Sequence, residues 1–167
     1  MIASFRITSP LLRRIRADLC RPHPFAWERV GFISARPAQA GRCVSLLAAD
    51  YHPVDDGNYE DDPSVGAKIG ASAMREALQI AYRHKVSMLH VHMHEHAGMP
   101  NFSRVDVREY PKFIPDFFNV QPSLPHGAIL LSQDQMAGIV WMERGIEPQT
   151  LEEAVEVGAP LQIHRRI

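Results

Sequence analysis

Four histidines, His90, His92, His94 and His96, fall within seven consecutive residues. Average composition does not produce that density. The stretch 86–94 (VSMLHVHMH) alternates as a strand does, with Leu89, Val91 and Met93 on one face and His90, His92 and His94 on the other. Two imidazoles at i and i+2 on a strand project to the same side, so their ring nitrogens can converge on one cation. Zinc takes such nitrogens at ~2.0–2.1 Å and carboxylate oxygens at a similar distance, and a catalytic site leaves a fourth position for water. Asp106 is the candidate third ligand, because it opens the next predicted helix within a loop's reach of the strand end. Taken alone, Asp106 is explained by helix capping, since Ser103-Arg104-Val105-Asp106 is a capping box with the acid at N3. Histidines on a strand face are also ordinary outward polar positions. Three of them on one face beside a turn favour the metal. His92 and His94 are the preferred pair. His90 with His92 is the alternative, but it leaves Asp106 too far along the chain.

Hydrolysis at such a metal needs a general base for the attacking water. Glu95 is adjacent, but it points away from the histidine face if the strand continues. The base must come from elsewhere in the chain.

The elements that would position these groups can be read in outline. Residues 2–8 form a first strand. Ser9 and Pro10 open a helix through Leu11, Leu12, Ile15 and Leu19. Residues 28–35 and 42–49 read as strands joined by a turn over Arg36–Gly41, which contains Pro37. Residues 50–64 are acidic and turn-rich, an exposed loop. A helix follows from about Pro63 to His84, with Val65, Ile69, Ala73, Ala77 and Ala81 at helical spacing. After the histidine strand comes a Gly/Pro loop and a helix from Ser103, which Pro111 and Pro115 break into two pieces. Residues 127–132 and 137–142 make a hairpin around Gln133-Asp134-Gln135, and 161–164 add a last strand. Helices and strands are interspersed, so the expectation is a mixed α/β domain around one sheet, a single domain over residues 1–167.

Composition narrows the function classes. The chain carries 18 Lys and Arg against 19 Asp and Glu, a net charge of −1, with no basic block. That excludes a large electrostatic footprint for nucleic acid. No run of 18 apolar residues exists to span a membrane, and the N-terminus lacks the pattern of a signal peptide. Cys20 and Cys43 are the only cysteines. Neither sits in a CxxC pair, so they read as free thiols of a reducing, cytoplasmic compartment, although they could pair. His94-Glu95-His96 has no histidine at the fifth place of an HExxH helix. The amidohydrolase barrels that also open on HxH need ~250 residues. A cupin would want a glutamate soon after HxH and an all-β pattern.

Taken in chain order, Glu28-Arg29-Val30-Gly31-Phe32-Ile33, His92-Met93-His94 and Ser103-Arg104-Val105-Asp106 resemble the motifs of the JAB/JAMM (MPN+) metalloproteases. These carry a glutamate at the start of an early strand, then His-x-His, a loop, and Ser-x-x-Asp. The resemblance covers about residues 1–145. It implies a JAB/MPN-like domain, a central, mostly antiparallel curved sheet flanked by helices. It implies Zn2+ held by His92, His94 and Asp106. Glu28 would be general base and then acid to the leaving amine, and Ser103 would hydrogen-bond the oxyanion. The sequence departs from the family in having Glu95 where proline usually follows the second histidine. Its His94–Asp106 loop is also one residue longer than the common spacing. The compact chain looks like the stand-alone bacterial members encoded beside ubiquitin-like modifiers with their activating and conjugating enzymes, some in antiphage defence. The implied activity is cleavage after the C-terminus of a ubiquitin-like protein, in precursor processing or deconjugation. The alternatives are a metal-free interaction scaffold, and hydrolysis of another small amide such as a sulfur-carrier adduct.

Overall fold

The computed structural model describes residues 1–24 and 26–165. Its strands are β1 (Ile2–Thr8), β2 (Val30–Ala40), β3 (Cys43–Pro53), β4 (Ser87–Met93), β5 (His126–Leu131), β6 (Met136–Trp141), β7 (Gln149–Thr150), β8 (Glu153–Val157) and β9 (Gln162–Arg165). Its helices are α1 (Ser9–Leu19), α2 (Ala71–His84) and α3 (Arg104–Phe113), with short 3-10 turns at Asp56–Asn58 and Ile114–Asn119. All the strands join one sheet in the order β7-β6-β5-β4-β2-β3-β1-β8-β9. β1 runs parallel to β3 and β8, and β4 runs parallel to β5. Every other neighbouring pair is antiparallel. The expected mixed α/β architecture around a mostly antiparallel sheet is therefore present.

The sheet curls. β6 lies near one end of the strand order, yet it touches β8 and β9 at the other. The Leu151 N–H donates to the Gly138 carbonyl at 2.9 Å, and the Glu152 N–H donates to the Ala3 carbonyl at 2.9 Å, linking the two ends through residues 151–152. α1 packs on one face, where Leu12, Ile15 and Leu19 meet Phe5, Ile7, Leu46 and Leu89. The other face carries α2, α3 and the Ile114–Asn119 turn over Phe32, Met88 and Ala128. α2 offers Ala73, Ala77 and Ala81 to that contact, so its backbone can approach the sheet closely.

Several expectations are corrected. α2 begins at Ala71, not near Pro63. Tyr59 and Ile69 form a β-bridge instead, and Glu60 N–H donates to the Lys68 carbonyl at 2.8 Å. Val65 and Ile69 had the right spacing for a helix, but the bridge takes Ile69 and the Val65 N–H turns back to the Asp62 carbonyl at 3.4 Å. Arg36–Gly41 is not all turn, because β2 continues to Ala40. β4 pairs with β2 only as far as Ala35. Beyond that residue β2 pairs with β3 alone, the edge setting in which a strand tolerates proline such as Pro37. The acidic stretch 50–64 is partly strand and contributes buried Tyr51, Val54 and Tyr59. α3 runs through Pro111 and gives way only at Ile114, ahead of Pro115. β8 was not anticipated. No helix of the described residues is long and apolar enough to cross a membrane. Cys20 and Cys43 are free and exposed.

Candidate metal centre

β4 lies between β2 and β5, and the pleat divides its side chains. Leu89 and Val91 join the cluster with α1, while Met88 joins the cluster under α2 and α3. His90 and His92 share the Met88 side. His94 follows the strand, kept in line by its N–H donating to the Leu131 carbonyl at 2.9 Å. His92 Nε2 and His94 Nε2 then stand 3.3 Å apart.

α3 brings the carboxylate. Ser103 is its N-cap, with Oγ accepting from the Asp106 N–H at 3.1 Å while the Ser103 N–H donates to Asp106 Oδ2 at 2.7 Å. The capping box and the ligand role are compatible, because the box uses Oδ2 and leaves Oδ1, which lies 3.5 Å from His92 Nε2. The Ser103 hydroxyl accepts in this bond and also stands in hydrogen-bonding contact with the Asp106 carboxylate. One helical turn on, the buried Tyr110 hydroxyl lies 3.0 Å from His92 Nδ1. With Nε2 turned to a cation, Nδ1 carries the proton and donates it to Tyr110, which fixes the tautomer.

Glu28 arrives from the segment before β2, not from the strand itself. Two anchors hold that segment. The guanidinium of Arg29, only 4% exposed, donates to the Arg21 and Pro22 carbonyls at 2.9 Å each and to Asp56 at 2.6 Å. The Gly66 carbonyl accepts both the Trp27 and Glu28 N–H groups, at 2.9 and 3.0 Å. As a result Glu28, His92 and His94 each place a ligand atom within 4.8 Å of the other two, a group able to hold a metal ion. Asp106 joins this group through His92 and is not within that mutual distance of all three.

The two spacings around His92 Nε2 match a small tetrahedral cation. Bonds of ~2.05 Å at the tetrahedral angle put neighbouring donor atoms ~3.3 Å apart. The His92–His94 and His92–Asp106 separations of 3.3 and 3.5 Å are close to that edge. Nitrogen and carboxylate donors are also the chemistry such an ion takes.

Electrostatics separate the two acids. Burial raises the Glu28 carboxyl above its ordinary value, opposed by His92 and reinforced by the negative Asp106. Burial acts the same way on Asp106. There it is outweighed by the hydrogen bond and charge of His92 and by the Ser103 bonds, and Asp106 ends well below the usual carboxylate range. Burial, with His92 beside it, lowers His94. His90 is pushed down to about 3, by burial first and His92 second. It is boxed edge-on by Phe32, Tyr110 and Phe113, and its Nδ1 has no partner among the described residues. His90 lies outside the group of mutually close ligand atoms. His96 is exposed; its Nδ1 lies 2.9 Å from the Ala97 carbonyl, its ring stands 6.0 Å from that of His94, and its carbonyl accepts the Gln133 N–H at 2.9 Å.

A cleft of about 550 Å³ opens over the centre. Trp27, 79% exposed, and Val65 lie along it, as do Lys68, Val105 and Arg108. Sequence reasoning missed Tyr110, Arg29 and Gly66. Tyr110 had a signal, since it follows Asp106 by four places and so shares its helix face. Arg29 and Gly66 had none, because their partners are distant in sequence. Compared with known protein families and with curated proteins, the chain matches no family model and no curated sequence.

Proposed function

We propose that the chain is a zinc-dependent hydrolase of the JAB/JAMM type, cleaving the amide or isopeptide bond after the C-terminus of a ubiquitin-like protein. One observation carries the reading. Glu28, His92 and His94 place ligand atoms within 4.8 Å of one another, Asp106 Oδ1 lies 3.5 Å from His92 Nε2, and all four line a single cleft. The motif order Glu, HxH, SxxD supplies the substrate class.

His92, His94 and Asp106 would hold the ion. When bound, zinc acts as a Lewis acid that polarises the scissile carbonyl and makes water acidic near neutral pH. Glu28 takes the proton from the attacking water and delivers it to the leaving nitrogen. Its partial burial suits a group that must alternate between charged and neutral forms. The Ser103 hydroxyl donates to the carbonyl oxygen as negative charge develops there. No acyl-enzyme is needed, since Cys20 and Cys43 lie outside the cleft lining. The ubiquitin-like partner and its operon-encoded activating and conjugating enzymes belong to the same reading.

A second reading has one observation in its favour, the reach of Glu28 to both histidines. As a ligand, Glu28 would close the water position and leave a metal-binding interaction module. Elemental analysis and Glu28→Gln separate the two. The expected result is about one zinc per chain, lost in the double variant His92→Ala/His94→Ala and kept in Glu28→Gln. Cleavage of ubiquitin-like fusions should fall at least ~1,000-fold in Glu28→Gln, as the acid–base steps require. Zinc lost along with Glu28 supports the module, and unchanged cleavage by Glu28→Gln rules out the hydrolase assignment.

A further inference from the structure

We propose that Gly66 is a positioning residue for Glu28, acting through the side chain it lacks. This inference rests on the reading of Glu28 as the proton carrier. Its geometry is independent of the substrate.

Gly66 meets Glu28 in two ways. Its carbonyl accepts the N–H groups of Trp27 and Glu28, which fixes where the backbone starts toward β2. Its bare Cα then faces the Glu28 carboxyl group. A Cβ built there would lie 2.7 Å from Oε2, 2.8 Å from Cδ and 3.2 Å from Oε1. Non-bonded carbon and oxygen atoms do not come so close, so any side chain at position 66 must turn the carboxylate aside.

The backbone at Gly66 does not lie in the left-handed region, so alanine meets no conformational penalty of its own. The obstructed atoms are the far end of a flexible side chain, which can rotate away at little cost to the fold. The same rotation removes Glu28 from the two histidines. A substitution here is therefore mild for stability and severe for chemistry, a combination that a packing glycine does not give. Gly127 shows the contrast. A Cβ there would meet the Ile139 carbonyl oxygen at 2.2 Å, an atom of the sheet backbone that cannot swing aside.

The segment carrying Gly66 is itself tethered. Lys68 forms ion pairs with Glu60 at 3.2 Å and Asp62 at 3.5 Å, and Gly70 N–H donates to the Asn58 carbonyl at 2.8 Å. The 59–70 loop thus presents Gly66 from a fixed base, and the Glu28 carboxylate is held in the space left between that loop and β4.

Gly66→Ala in the full chain tests this. A crystal structure of the variant should show the Glu28 carboxylate displaced, with His92, His94 and Asp106 unmoved. Zinc affinity, measured by competition with a chromogenic chelator, should stay within about threefold of wild type. The thermal midpoint should shift by only a few degrees. With ubiquitin carrying a C-terminal aminocoumarin amide, kcat should fall at least ~100-fold at similar KM, the scale expected of a misplaced catalytic group. The loss should vanish in a Glu28→Gln background, where nothing remains to misplace. A Glu28 carboxylate unmoved in the variant overturns the inference, as does an undiminished kcat. A wild-type protein that binds zinc and cleaves no ubiquitin-like amide removes the proposed reaction, while the displacement in Gly66→Ala still decides the positioning role.

Discussion

At the scale of single residues, the candidate centre is held by groups outside the ligand set. Tyr110 is the clearest case. Its hydroxyl, 3.0 Å from His92 Nδ1, decides which imidazole nitrogen is free for a cation. Burial, together with the charges of Asp106 and Glu28, raises the phenol well above its ordinary value, so it stays neutral and can accept from Nδ1–H. Tyr110→Phe keeps the ring packing against Phe102 and Phe113 and removes only that partner. Zinc affinity by chelator competition should weaken ~10–100-fold, the usual cost of losing such an outer partner. An unchanged affinity would mean that His92 is oriented by packing alone. The candidate ligands were legible because they belong to local patterns, the i and i+2 histidines of a strand and the SxxD of a capping box, whereas Glu28 was reached only through the resemblance of the motif order. Tyr110 was half legible, one turn beyond Asp106. Gly66 was illegible, because its role exists only where residues 66 and 28 meet.

At the scale of elements, β4 and α3 were readable and the segment delivering Glu28 was not. β4 alternates in sequence, and α3 announces itself by its cap. Residues 21–24 and 26–29 have no regular structure to announce, and a buried arginine anchors this segment instead. Three acceptors, the Arg21 and Pro22 carbonyls and Asp56, surround one guanidinium. A lysine is a point donor on a flexible stem and cannot span that fork. Arg29→Lys should therefore destabilise the protein by roughly 2 kcal/mol, the cost of leaving buried carbonyls unpaired, despite its retained charge. Urea unfolding measures this, and an unchanged midpoint would show the clamp to be ornamental. The late start of α2 teaches the same lesson from the other side. Helical spacing at Val65 and Ile69 was real, but Pro63 and the Tyr59–Ile69 bridge committed that backbone to a loop. The same loop carries Gly66 to Glu28.

At the scale of the whole molecule, the parts hardest to read were those that join distant segments. β8 adds to β1 in parallel across the length of the chain, with Phe5 opposite Ala154, and no short-range pattern can signal such a pairing. His126 is a comparable junction. Its Nδ1 accepts the Met88 N–H of β4 at 3.0 Å, and its Nε2–H donates to the Gln121 carbonyl at 3.2 Å. The Gln121 side chain in turn donates to the Ala81 carbonyl near the end of α2 at 3.0 Å. The ring is fully buried, stacked on Phe117 and met edge-on by Phe118. Both nitrogens are thus committed to the neutral tautomer, and burial pushes the pKa down to about 4 from 6.5. In the unfolded chain the ring protonates as pH falls through about 6.5, whereas in the folded protein it resists until about 4. The unfolded state therefore binds more protons across that window, and stability falls as pH is lowered. The contribution is present in full above about pH 6.5 and is lost progressively toward pH 4. Its slope is near ~1.4 kcal/mol per pH unit, which sums to about 3 kcal/mol. His126→Asn should be less stable at pH 7 and should lose stability less steeply on acidification. The other buried histidines remain in the variant, so subtracting its urea-unfolding curve from that of wild type isolates this one ring. A difference that is flat between pH 6.5 and 4 would mean that His126 does not couple protonation to the closure of β4, β5 and α2 into one cooperative unit.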